Sequence, residues 1–137
     1  MTIQAKIIHA VLNQFPNVQA VYQFGSYGTT EVWPDSDVDI ALLLLPLEAK
    51  QVGSLVMSPL HMILERLFYK DVDLINLRQV STVLQREIIM AQRRIFCTDE
   101  YAADLFEMYV FSFYQKLNEE RAAILEDGLR SGRFYNV

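Results

Sequence analysis

The sequence predicts a mixed α/β fold: a small β-sheet flanked by helices, closed by a long C-terminal helix. Three observations predict it. The chain has 137 residues, enough for one core and too few for two. Hydrophobic residues make up 52%, ample for a packed interior. Runs rich in Val, Ile, Tyr and Phe alternate with segments of helical period, so strands and helices share one domain.

Each element has a local reason. Ile3, Ile7, Ala10, Val11 and Phe15 recur at helical spacing behind Thr2, a ready N-cap. Pro16-Asn17 stops that helix. Residues 18–24 read as a strand. Gly25-Ser26-Tyr27-Gly28 is a turn, followed by a short helical or irregular stretch to Pro34. Residues 37–45 form a second strand, whose far half is apolar on both faces and therefore central; Pro46 ends it. Ser58-Pro59 opens a helix to about Tyr69, with serine as cap and proline at the first helical position. Residues 71–77 are a third strand, 80 to about 92 a helix, and 95–97 a short extended piece. Asp99 caps a last helix that ends near Gly128.

The last helix is apolar around much of its girth. One stripe, Phe106, Val110, Phe113, Leu117 and Ile124, is expected to pack on the domain. Tyr101, Leu105, Met108 and Phe111 lie off it and are expected to form a protein interface. Residues 1–137 thus read as one domain, with a core over about 1–97 and a helix over about 99–128 for packing and partner binding.

Formal net charge is −5. A binder of long nucleic acid carries a basic excess, so that class is disfavoured. The charge is unevenly spread. Residues 1–40 hold Lys6 against Glu31, Asp35, Asp37 and Asp39. Residues 78–94 hold Arg78, Arg86, Arg93 and Arg94 against Glu87 alone. An acidic centre facing a basic segment suits a site for metal ions and an anion together. The single cysteine, Cys97, permits no internal disulfide and reads as a small buried residue. The N-terminus does not read as a signal peptide. The apolar run 40–45 is far short of the ~20 residues that cross a membrane. The expected setting is cytoplasmic, with no membrane partner. His9 and His61 read as packing or surface residues, Trp33 as core or a base-stacking ring, and Arg93-Arg94 as a solvated pair or a phosphate contact.

The chemistry centres on Gly25-Ser26, ten intervening residues, then Asp37-Val38-Asp39. A strand has a side-chain period of two, so Asp37 and Asp39 share a face. Two carboxylates so placed repel, and a hard divalent cation relieves them. Asp73 precedes an apolar stretch as Asp39 does, and completes the cluster if the second and third strands are neighbours; Asp71 is the weaker candidate. Gly25 allows close backbone approach to a phosphate, and Ser26 adds a hydroxyl donor. The plain alternative is a solvated acidic turn.

This pattern resembles the signature of the DNA polymerase beta superfamily of nucleotidyltransferases. The size and the Asp71-Val72-Asp73-Leu74 strand resemble its minimal (MNT) branch, over residues 18–77. The resemblance implies the nucleotidyltransferase fold, with two Mg2+ ions held by Asp37, Asp39 and Asp73 as catalytic and metal residues. It implies that Gly25 and Ser26 hold the triphosphate of ATP. Relatives often carry an arginine and a glycine where this chain has Thr29 and Thr30, leaving one positive contact missing or supplied by the basic segment 78–94. The MNT proteins it resembles are antitoxins paired with HEPN-domain ribonuclease toxins, which they silence by transferring AMP to a toxin tyrosine. The implied partner is a HEPN toxin, in a hetero-oligomer through the C-terminal helix. The alternatives are a small-molecule nucleotidyltransferase of the aminoglycoside-modifying type, and a non-catalytic antitoxin that acts by binding alone.

Overall fold

The computed structural model describes residues 2–25 and 37–131. Of the residues singled out above, Ser26, Tyr27, Gly28, Thr29, Thr30, Glu31, Trp33, Pro34 and Asp35 lie outside them. Helix α1 (Ile3–Gln14) starts where the Thr2 hydroxyl accepts from the Ala5 N–H at 3.1 Å. Strand β1 (Ala20–Phe24) leads to Gly25. Then come β2 (Val38–Leu43), α2 (Pro46–Val52), α3 (Pro59–Phe68), β3 (Val72–Asn76), a short 3-10 turn at Leu77–Gln79 and α4 (Thr82–Met90). The chain closes with β4 (Arg94–Cys97) and α5 (Glu100–Ser131).

The sheet order is β3-β2-β1-β4. β1 lies antiparallel to β2 and β4; β2 and β3 are parallel, joined across the sheet by α2 and α3. β2 is central, and alternation divides it between two cores. Val38, Ile40 and Leu42 join Val21, Val72 and Leu74 under Ile7 and Val11 of α1 and Leu60 and Leu64 of α3. Ala41 and Leu43 join Ala20, Tyr22 and Leu77 under Ile88 of α4 and Ala103 of α5. Each fully buried aliphatic side chain contributes about 1.5–3 kcal/mol, so covering both faces anchors the two inner strands, β2 and β1.

The structure corrects the sequence reading in two places and sharpens it in a third. Pro46 both ends the strand and opens α2, an element not anticipated. Proline is as much a first-turn residue as a strand breaker, and Gly53 at φ 64° stops the helix. The piece at 95–97 is extended as expected, starts one residue earlier, and is β4, an edge strand beside β1. The stripe expected to pack along the last helix stays only in part. Val110 is buried and Phe106 packs on the second core, but Phe113 and Ile124 are 58% and 67% exposed. The packed face is set by Ala103, Phe106 and Val110, and the distal half of α5 extends beyond what α4 covers.

Between β1 and β4 the register shifts. Val21 faces Phe96 while Tyr22 faces Arg94, leaving Ile95 as an extra residue. Ile95 and its neighbour Phe96 consequently pack against the same core. Such a bulge reverses the parity of everything that precedes it in the strand.

Candidate active site

Gly25 closes β1 at φ 74°, a conformation few side chains adopt. A Cβ there would fall 1.9 Å from Asp39 Oδ2, so the carboxylate of β2 lies directly against the glycine. Asp39 faces Phe24 across the antiparallel pair and Asp73 across the parallel pair. In-register neighbours share a face, so Asp39 and Asp73 project together from the side covered further along by α4 and α5. Asp37 stands two residues before Asp39 with the same parity, exposed at the lead-in to β2. Asp71 precedes β3, exposed, and its carbonyl accepts the Val38 N–H at 3.1 Å. The Ser26 expectation falls outside the described residues; Gly25, Asp37, Asp39 and Asp73 meet at one end of the sheet.

The electrostatics match the crowding. Burial pushes the Asp39 carboxyl up to about 6, the charges of Asp73 and then Asp37 push it the same way, and Arg93 opposes them. Among the described residues no group of three Asp, Glu, His or Cys side chains is close enough to cage a metal unaided. The donor chemistry still fits magnesium. The donors are hard oxygens, two of them in register, and magnesium is usually held by one or two carboxylates plus substrate phosphates.

The basic segment does not act as a block. Arg78 donates from Nε to the Leu44 carbonyl at 2.6 Å and from Nη2 to Gln19, and lies 5.2 Å from the Phe106 ring. Arg86 lies over Tyr114 at 4.4 Å. Arg94 is paired with Asp104 at 2.9 Å and Glu107 at 2.7 Å, and Glu107 also accepts the Tyr22 hydroxyl at 2.7 Å. Burial and the Glu107 carboxylate hold the Tyr22 phenol well above its ordinary range. Only Arg93 of these four reaches the glycine: its Nη1 donates to the Gly25 carbonyl at 2.6 Å. Nothing in the residue pattern separates Arg93 from Arg94; the bulge at Ile95 does. The histidine expectation holds for His61, whose Nδ1 accepts the Met57 N–H and whose Nε2 bonds the Val72 carbonyl, tying α3 to β3.

A glycine-ended strand facing paired aspartates on two parallel strands is the frame of a nucleotidyltransferase. The chain belongs to the polymerase beta nucleotidyltransferase family, whose pattern matches residues 6–101. It is 34% identical over 122 residues to protein adenylyltransferase MntA of Shewanella oneidensis, spanning 89% of this chain and 84% of that one. Its fold matches a toxin–antitoxin crystal structure with AMP-PNP at a TM-score of 0.71, with 30% identity, over 93% of this chain and 99% of that one. It also matches, at a TM-score of 0.65 and 31% identity, a chain of the complex of tri-AMPylated Shewanella oneidensis HEPN toxin with MNT antitoxin, over 92% and 95% of the two chains.

Proposed function

We propose that this chain is an antitoxin that adenylylates a cognate HEPN-domain toxin, moving AMP from ATP to a toxin tyrosine. The observation that carries the reading is the 34% identity to a protein adenylyltransferase over 89% of the chain. Support comes from the complex in which the relative's HEPN toxin is AMPylated. The tyrosine hydroxyl oxygen bonds to the α-phosphorus of ATP as the bond from that phosphorus to the bridging oxygen breaks, and pyrophosphate leaves.

The residues divide the work. Asp37, Asp39 and Asp73 are the catalytic and metal-binding carboxylates, and Asp73 accepts the tyrosine proton. Gly25 and Ser26 receive the triphosphate at the end of β1, where Gly25 lies against the Asp39 carboxylate. Two Mg2+ ions, when bound, supply charge neutralisation at the phosphates and lower the pKa of the attacking hydroxyl. The core over about 1–97 carries this chemistry, and the helix over about 99–128 carries the partner. The single cysteine, Cys97, supports a cytoplasmic setting.

The test is a mixture of this chain, its HEPN partner and Mg-ATP, read by intact mass. The toxin gains whole AMP units; an unchanged toxin mass alongside an ATP-binding chain refutes the reading. The exposed apolar residues of α5 favour a second reading, inhibition by binding alone. In that case Asp37→Asn with Asp39→Asn leaves toxin inhibition intact, whereas adenylylation requires its loss.

A further inference from the structure

We propose that Arg93 is the polyphosphate-binding arginine of this site, taking the end of the triphosphate that leaves as pyrophosphate; this rests on the nucleotidyltransferase reading above. The first ground is position. In the order β3-β2-β1-β4, the carboxylates stand on β3 and β2, Gly25 ends β1, and Arg93 immediately precedes β4. A triphosphate whose α-phosphorus reacts at Asp39 and Asp73 and whose chain lies against Gly25 runs toward Arg93. Two inter-strand spacings, about 10 Å, separate β2 from β4, and the Arg93 side chain reaches back across one of them to the Gly25 carbonyl, so the phosphate chain has only the remaining spacing to cover.

The second ground is how the guanidinium is held. The backbone carbonyl of Arg93 accepts the Gln23 N–H at 2.9 Å, while Nη1 donates to the Gly25 carbonyl at 2.6 Å. Both ends of the residue are therefore tied to the end of β1. Gln92, just before it, sits at φ 56°. A non-glycine residue in that region is strained and persists where the surroundings demand it. Here it turns the chain from α4 so that Arg93 points at Gly25. The Ile95 bulge then sends Arg94 to Glu107 and leaves its neighbour for the site.

The third ground is charge. Arg93 opposes the crowding of negative charge at Asp39, while Arg78, Arg86 and Arg94 are engaged elsewhere. A planar guanidinium binds phosphate oxygens two at a time, which an ammonium does not.

The structural alternative is that Arg93 only braces the Gly25 turn. Binding of AMP-PNP, measured directly, and of AMP, measured by displacement of AMP-PNP, separates the two. The ratio of the two dissociation constants is read for wild type, Arg93→Met, Arg93→Lys and, as a control, Arg86→Met. Loss of a charge-assisted phosphate contact reduces the preference for the triphosphate by roughly tenfold to a hundredfold in Arg93→Met, with Arg93→Lys between and Arg86→Met unchanged. A turn brace weakens both ligands alike, so an unchanged ratio in Arg93→Met overturns the proposal even if both affinities fall. If Arg93→Met does not fold, an unchanged ratio in Arg93→Lys overturns it equally. Failure of wild type to bind AMP-PNP instead sinks the nucleotidyltransferase reading and is recognisable as such.

Discussion

Gly25 and Asp39 constrain each other sterically. Any side chain at 25 collides with the Asp39 carboxylate and must also adopt φ 74°. Gly25→Ala is expected to destabilise the fold by about 1–3 kcal/mol, read from urea midpoints at constant slope, and to abolish AMP-PNP binding. Asp39 itself is a stability liability without metal. Its folded carboxyl holds a proton up to about pH 6, above the ordinary 3.8. The native state therefore binds that proton more tightly than the unfolded chain. This contribution is fully present in acid and is lost as pH rises through about 6. In chelator, Asp39→Asn should raise the melting temperature at pH 7.5 by a few degrees, on the order of 1 kcal/mol after allowing for solvent at a half-exposed group. At pH 3 the difference should vanish. Magnesium should raise the wild-type melting temperature and not that of Asp37→Asn with Asp39→Asn.

At the scale of elements, β1, β4 and α5 are joined by one part-buried polar network. Tyr22, Arg94, Glu107 and Asp104 meet there, and Arg94 is the cation common to both carboxylates. Arg94→Met leaves Glu107, 25% exposed, with the Tyr22 hydroxyl alone. The expected loss is about 1–3 kcal/mol in chemical denaturation, with α5 the first element to lose amide protection. α2 shows why this level resists reading in one dimension. Pro46, Glu48 in the first turn, Lys50 in the last and Gly53 after it are all helix-end signals. They span only seven residues, and Pro46 had a competing meaning as a strand terminator. β4 was harder still, because an edge strand of four half-buried residues has no alternation to detect.

For the whole molecule, exposed apolar surface extends into the distal half of α5. Phe113, Ile124 and Leu125 are exposed by more than half. A run of aromatic and aliphatic side chains on one helix, outside the domain's own cores, is what a partner covers. Phe113→Ser with Ile124→Asn should leave unfolding within about 0.5 kcal/mol of wild type while weakening the proposed complex with a HEPN partner at least tenfold by titration. A large loss of stability would show instead that these residues pack within the chain. Among the described residues no helix is long and apolar enough to cross a membrane.

By itself the sequence determined what depends on neighbours along the chain: helix starts at Thr2 and Ser58, the alternation that puts Asp37 and Asp39 on one face, and the two-sided apolar run that makes β2 central. Capping and side-chain period act over a few residues, so a linear reading captures them. The packing decided the rest. The register of β2 on β3 set Asp73 beside Asp39, the contact of Asp39 with Gly25 made that glycine obligatory, and a single extra residue at Ile95 sent Arg94 to Glu107 and Arg93 to Gly25. Those outcomes turn on which strands become neighbours and in what register, and pairing energies between distant segments leave no local pattern to read.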